Sequence, residues 1–213
     1  MAQGINDIRI EYTRGTLDEA HADPNPFVFF QQWLDDAIAE NLSEPNAMIV
    51  ATAALDAKPS ARVMLLRAVD ERGFVFYTNY SSRKGKELAQ NPFAALVFFW
   101  QPLHRQIRVE GRVERVSAQE SDAYFDSRPR GNQLSAAASP QSQVIPNREF
   151  LETRVKELDA RYPQRVLRPP HWGGYRVVPD VFEFWQGREN RLHDRLRYTR
   201  TQDNAWKIER LAP

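Results

Sequence analysis

The 213-residue chain contains no cysteine. That absence excludes disulfides, thiol nucleophiles and cysteine-ligated metals, and it argues against a disulfide-stapled secreted domain. An excess of one charge is also missing. Lys and Arg number 29 against 28 Asp and Glu, for a net charge of +1, without the basic surplus of a nucleic-acid binder. No apolar run approaches the ~20 residues of a membrane span. Met1 to Glu11 has no apolar core behind a basic flank, so no signal peptide is read there and a cytoplasmic protein is expected. The histidines His21, His104, His171 and His193 show no metal-ligand spacing, and no metal site is expected. The Walker, Rossmann and nucleophile-elbow glycine patterns are all absent.

What is present is enough apolar residue for a core: 42% hydrophobic, 11% aromatic. The length favours one domain. Residues 1–22 are polar and read as a mobile arm, leaving 23–213 as the domain. Asn25 as a cap with Pro26 at the first helical position opens a helix, and Phe30, Trp33, Leu34, Ala37 and Ile38 form its apolar stripe. Short β-rich runs follow at 48–52, 62–67, 74–78, 93–100 and 106–113, with 93–100 apolar enough for burial on both faces. Further strands are expected at 175–178, 181–185, 195–200 and 206–211. Helices are expected from Ser82, from the capping box Ser117-x-x-Glu120, and from Asn147 to about Tyr162. Arg128 to Ile145 reads as a long connection, of a kind that is often functional. The chain is thus mainly β with flanking helices (α+β), an antiparallel barrel or sandwich.

Four basic clusters carry the candidate chemistry. Ser81-Ser82-Arg83-Lys84-Gly85-Lys86 places cations at a helix start; they are either solvated or, with the free backbone N–H groups, a phosphate site. Tyr124 and Arg128 are four apart on a helix end, either a stacking pair or a phosphate clamp. If Arg191 to Tyr198 is extended, Arg191, His193, Arg195 and Arg197 share one face. Such a ladder of like charge calls for a bound anion, acidic partners elsewhere in the fold, or a solvated edge strand. Arg62 to Arg67 is the fourth cluster.

Several ordered motifs carry a resemblance: Arg62-Val63-Met64-Leu65-Leu66-Arg67, Phe76-Tyr77-Thr78-Asn79, Ser82-Arg83-Lys84, Gln141-Ser142 and Trp172-Gly173-Gly174-Tyr175. They continue with Glu183-Phe184-Trp185-Gln186-Gly187, Arg191-Leu192-His193-Asp194-Arg195 and the terminal Trp206 to Pro213. From about Ile8 onward the chain resembles the pyridoxine (pyridoxamine) 5′-phosphate oxidase family. The resemblance implies an antiparallel, Greek-key-type FMN-binding split β-barrel, working as a homodimer with FMN at the subunit interface. It implies oxidation of pyridoxine 5′-phosphate or pyridoxamine 5′-phosphate to pyridoxal 5′-phosphate, with O2 reduced to H2O2, and no nucleic-acid or membrane partner. The FMN residues it implies are Arg62, Val63, Met64, Leu65, Leu66, Arg67, Tyr77, Thr78, Arg83, Lys84, Gln106, Gln141, Ser142, Trp185 and Arg195. The substrate residues are Arg9, Tyr12, Arg67, Tyr124, Arg128, Asn132, Arg191, Leu192 and His193, with Arg191, His193 and Arg195 at the reaction centre. The chain departs from the family pattern at Arg67, where a lysine is common, and at Asn132, where a serine is common. The alternatives are a related split-barrel FMN oxidase of the phenazine type, or a flavin or pyridoxal-phosphate binder without turnover.

Overall fold

The computed structural model describes residues 4, 5 and 10–213. Among them are five helices: α1 (Pro26–Ala39), α2 (Arg83–Gln90), α3 (Ala118–Ser127), α4 (Arg130–Ala138) and α5 (Arg148–Arg161). The strands are β1 (Ala47–Ala53), β2 (Pro59–Leu65), β3 (Ala68–Asp70), β4 (Gly73–Asn79), β5 (Phe93–Trp100), β6 (Arg105–Arg115), β7 (Trp172–Gln186), β8 (Asp194–Arg200) and β9 (Trp206–Arg210). They join in the order β2-β1-β5-β6-β7-β4-β3, with β8 on β7 and β9 on β8. The β3–β4, β4–β7, β7–β8 and β8–β9 pairings are antiparallel. No helix among the described residues is long and apolar enough to cross a membrane.

Capping chemistry sets the helix starts as expected. Asn25 Oδ1 accepts from Phe27 N–H at 3.0 Å, and Ser117 and Glu120 close a reciprocal capping box. Other expectations are corrected. The stripe of α1 buries Phe29 and leaves Ile38 54% exposed, because Phe29, Phe30, Trp33, Leu34 and Ala37 centre the buried face one residue earlier. Strand β5 alternates instead of burying both faces, with Phe93 and Phe99 about half exposed. The strand expected at 62–67 runs 59–65. The two strands expected at 175–178 and 181–185 are one, β7, which runs through Pro179. That proline falls between the last pair with β4, at Val177, and the first with β8, at Val181, so neither pairing needs its missing N–H.

The long connection contains α4. Its Ser, Ala and Gln composition looked loop-like, yet Ala, Leu and Gln are good helix formers. Tertiary contact completes it: Leu134 and Ala138 are buried, and Arg154 Nε of α5 donates to the Ala138 carbonyl at 2.9 Å. The extended ladder is also shorter than expected. Glu189–Arg191 is a 3-10 turn, Asn190 and Arg191 have φ of 56° and 61°, and extension begins only at Asp194.

The described residues divide into two compact units: those within 1–49, 95–110 and 179–213, and those within 50–94 and 111–178. In the first, α1 packs aromatic on aromatic. Phe29 and Trp33 lie 4.5 and 5.3 Å from Phe184, and Phe30 lies 5.0 Å from Phe98. The described part of the polar arm is tied into this unit. Leu17 is 5% exposed, its N–H donates to Asp194 at 3.2 Å, and Arg210 bonds both Leu17 O and Glu19. In the second unit Phe125, Leu134, Val166 and Trp172 form a buried cluster under α3, α4 and α5.

Gly73 closes the β3–β4 hairpin at φ +138°, and a Cβ there would sit 2.0 Å from the Val177 carbonyl oxygen. Gly73→Ala is therefore expected to cost about 2–3 kcal/mol, since it strains the backbone and pushes β4 from β7. Urea unfolding checks this: the midpoint should fall with the slope unchanged.

Candidate active site

The second unit holds a cation cluster at the start of α2. Ser82 Oγ accepts from Gly85 N–H at 3.3 Å and so caps the helix. Gly85 is needed for close approach, because a Cβ would lie 2.1 Å from the Tyr80 carbonyl oxygen. Lys84 is 6% exposed. Its ammonium donates to Thr78 Oγ1 at 3.0 Å and Gln141 Oε1 at 3.2 Å, both neutral acceptors. Burial, and then the charge of Arg62, lowers its pKa to about 8. Around it Glu87 forms a hub, accepting from Thr52 at 2.5 Å, Ser60 at 2.6 Å and Arg83 Nε at 2.8 Å. Burial alone would raise this carboxyl, but those hydrogen bonds outweigh it and bring the pKa to about 2. Arg62 completes the network through Val50 O, Thr52 and Ser60, with Glu87 at 3.5 Å. Arg83 and Ser142 also line a shallow recess of about 390 Å³ beside Ser81 and Lys86.

A cavity of about 650 Å³ lies in the same unit. Met64, Leu65, Arg67, Tyr77, Thr78 and Gln141 from the expected cofactor set line it, together with Tyr124, Arg128 and Asn132 from the expected substrate set. One wall is a stack of rings. Tyr77 and Tyr124 lie 3.9 Å apart at 16°, and Trp172 lies 5.5 Å from Tyr77 at 13°. Arg67 stands 5.9 Å from the Tyr124 ring, and Arg128 stands 4.8 Å over Trp172. Neither arginine has a carboxylate partner among the described residues. Arg128 Nη1 is buried without any hydrogen-bond acceptor there. Burial pushes the Arg128 pKa below its ordinary value, with Tyr124 opposing and Arg67 adding to the shift. The remainder of the 62–67 run points elsewhere: Val63 is 68% exposed and Leu66 is buried.

The other expected residues lie in the first unit. Trp185 and His193 rings are 4.7 Å apart, and Tyr12 meets both edge-on at 5.6 Å. The Arg188 N–H donates to His193 Nδ1 at 3.1 Å, so the neutral ring carries its proton on Nε2. Burial, then the nearby Arg191 charge, holds the His193 pKa below its ordinary value. Arg191 and Leu192 are exposed on the turn. Arg195 is pinned: Nε donates to Glu183 at 2.9 Å and Nη1 to Ala212 O at 2.7 Å. Arg197 pairs with Glu209 at 2.9 Å, and Glu183 also accepts from Arg108 at 3.2 Å. Of the three answers to the charge ladder, acidic partners supply this one. Gln106 is half-buried on β6. Arg9 lies outside the described residues.

Sequence reasoning missed Trp172, Glu87 and the helix α4. Glu87 is four residues from Arg83 on α2, a spacing that could have revealed it. Helix α4 brings Asn132, Ser135 and Ala136, at i, i+3 and i+4, to the cavity.

The donor set around Lys84 suits a phosphate, and two family models cover most of the chain. Residues 34–162 match "Pyridoxamine 5'-phosphate oxidase", and residues 172–213 match "Pyridoxine 5'-phosphate oxidase C-terminal dimerisation region". A pyridoxine/pyridoxamine 5′-phosphate oxidase of Burkholderia vietnamiensis is 60% identical over 98% of this chain and 99% of its own. One from Bordetella petrii is 57% identical with the same coverage. Among solved structures, PhzG from Burkholderia lata, in complex with tetrahydrophenazine-1-carboxylic acid, superposes with a TM-score of 0.88 at 33% identity, covering 94% of this chain and 99% of that one. An FMN binding protein from Nostoc punctiforme shares the fold, with a TM-score of 0.70 at 17% identity over 86% of this chain and 97% of its own. The strand order described above is therefore that of the split barrel, and the chain belongs to the pyridoxamine 5′-phosphate oxidase family.

Proposed function

We propose that the protein oxidises pyridoxine 5′-phosphate and pyridoxamine 5′-phosphate to pyridoxal 5′-phosphate, using FMN and passing electrons to O2 to give H2O2. The observation that carries this reading is the cavity with two arginines, Arg67 and Arg128, that have no carboxylate partners among the described residues and stand on a wall of stacked rings. The buried Arg128 Nη1 without an acceptor, beside the exposed Arg67, suits a phosphate, and flat aromatic faces suit its pyridine ring. The relative that bears tetrahydrophenazine-1-carboxylic acid offers a second reading, a tricyclic acid as substrate. The relatives named for the phosphorylated substrates are nearly twice as similar in sequence, which favours the first.

The residues present fit FMN. Lys84, Arg83 and the α2 N-terminus, with Thr78, Gln141 and Ser142 beside them, would hold its phosphate. When bound, FMN supplies the acceptor for the hydride leaving the substrate's 4′ carbon. The protein's own part is binding and orientation. Arg128, Tyr124, Arg67 and Asn132 take the substrate phosphate. Arg191 and His193 stand beside the substrate, with His193 donating from Nε2 and abstracting no proton from carbon. Arg195, held by Glu183, supplies positive charge on the flavin side. Two chains contribute to each site in a homodimer, a reading supported by the matched dimerisation region and by the half-exposed Phe93 and Phe99 of β5.

Oxygen uptake with peroxide release should follow addition of either phosphorylated substrate and should be much slower with unphosphorylated pyridoxine. Equal rates with and without the phosphate would remove the reading. Arg128→Ala should raise KM for pyridoxine 5′-phosphate about ten- to a hundredfold, the worth of a charge-assisted hydrogen bond, while bound FMN measured by absorbance stays at wild-type content.

Lys84 predicts a pH effect on cofactor binding. In the flavin-free protein its ammonium is lost as pH rises through about 8. The FMN phosphate is already dianionic above roughly pH 6 and adds no dependence there. Binding restores the ammonium and so takes up a proton, and FMN affinity should fall steadily above pH 8. Lys84→Met should bind FMN more weakly at pH 7 and lose the slope, as read by quenching of flavin fluorescence. The sign for stability is opposite. Between about 8 and the ordinary lysine value of 10.5 the unfolded chain holds the proton and the folded one does not, so this group makes the flavin-free protein more stable as pH rises.

A further inference from the structure

We propose that Trp172 is a positioning residue for Arg128, holding the guanidinium flat so that its N–H edge is presented to the substrate phosphate. The proposal rests on the reading of the cavity as a phosphate site. Arg128 leaves α3 at its C-cap, with φ −77° and ψ 147°, and its chain turns back over the Trp172 ring at 4.8 Å. The Phe125 ring is a more distant second face at 5.9 Å. A buried arginine is ordinarily held by a carboxylate, which occupies the same N–H edge that a phosphate would need. Here the aromatic face takes that role. A cation over the face of an indole is stabilised by the ring quadrupole, most strongly among the aromatic side chains, and the gain is larger where water is excluded. Its in-plane N–H groups stay free, which is the state of Arg128 Nη1 among the described residues.

Trp172 is itself fixed from several directions. Its ring lies parallel to Tyr124 within 4°, at 6.1 Å, and edge-on to Phe125 at 5.1 Å. Its backbone N–H donates to Pro169 O at 3.0 Å, and its backbone carbonyl accepts from Arg168 Nη1 at 2.7 Å. Only 6% of the residue is exposed. The indole is thus a rigid plate shared by the hydrophobic cluster and the cavity, and the same plate sets the plane of the arginine. A packing role alone would be served by any large apolar side chain. The positioning role requires an aromatic face under the cation.

The test uses the FMN-loaded full-length protein and isothermal titration with pyridoxal 5′-phosphate and with pyridoxal. The ratio of the two dissociation constants isolates the phosphate contribution. Trp172→Phe, which keeps the packing and a weaker face, should shrink that ratio about two- to threefold, and Trp172→Leu about tenfold. FMN content and the affinity for pyridoxal should stay near wild type in the Phe variant. Steady-state kinetics should show the same loss in KM for pyridoxine 5′-phosphate with kcat held. An unchanged ratio in the Phe variant overturns the proposal, and so does equal weakening of both ligands, which would make Trp172 a packing residue only. A wild-type protein that binds both ligands alike removes the phosphate reading of the cavity as well. A wild-type preference that survives Trp172→Phe and Trp172→Leu removes the role of Trp172 alone.

Discussion

Positive charge held out of water without a matching carboxylate is the constraint around which the second unit is arranged. An unpaired buried cation costs several kcal/mol, more than most single contacts return. Lys84 meets that cost with two neutral oxygens, Thr78 Oγ1 and Gln141 Oε1. Arg128 meets it with the Trp172 and Phe125 faces. Neither arrangement consumes the capacity to bind an anion. The neighbouring cations are handled differently. Arg62 and Arg83 pair with Glu87, whose carboxyl is brought to about 2, against burial, by hydrogen bonds from Ser60, Thr52 and Arg83. The cluster therefore contains one internal counter-ion and keeps a net positive charge for a ligand.

Local geometry follows from this arrangement. Lys84 reaches Thr78 because α2 begins close to the end of β4, and Gly85 allows that approach to the Tyr80 carbonyl. Gln141 arrives from the segment just after α4, whose C-terminal carbonyl is held by Arg154. An unanchored loop could not keep a glutamine oxygen within 3.2 Å of a buried ammonium at low entropic cost. Helix α4 is thus what makes the connection between α3 and α5 precise enough for binding.

Much of this was legible in the sequence, and the failures have physical causes. Caps and turns are local chemistry, so Asn25, Ser82, Ser117 and Asn147 mark their helix starts correctly. Apolar and β-rich runs located the long strands, although the longest, β7, reads as two. What depends on tertiary contact was lost. Helix α4 is polar in composition and gains its stability from Leu134, Ala138 and Arg154 contacts that no window along the chain contains. Burial of β5 depends on which neighbour covers each face, which a run of apolar residues does not encode. The run 191–197 looked uniformly extended, yet Asn190 and Arg191 take left-handed φ, and only Arg195 and Arg197 share strand parity on β8. The family resemblance named the candidate site residues but carried Trp172 only within the motif Trp172-Gly173-Gly174-Tyr175, without a role at the site, because its place under Arg128 exists only in the fold.

The same device accounts for the departure at Arg67. A lysine there would place a compact, strongly hydrated ammonium at the cavity edge. Arginine instead brings its guanidinium carbon to 5.9 Å from the centre of the Tyr124 ring, which is already stacked on Tyr77 and parallel to Trp172. Both arginines of the cavity then use the aromatic wall as their counterpart, and both keep N–H edges available. Two planar forks against a rigid wall define a direction as well as a charge, so a phosphate bound between them is oriented as well as attracted. Contrast the first unit, where Arg195 and Arg197 stand on one strand face and are answered by Glu183 and Glu209. There a carboxylate holds each guanidinium, Glu183 at Arg195 Nε and Glu209 at Arg197 Nη2, and offsets its charge, which suits supplying charge at a distance better than gripping an anion. The two arginine pairs differ in what faces them, and that difference separates the group that would bind the substrate's phosphate from the group that would bias the chemistry at its ring.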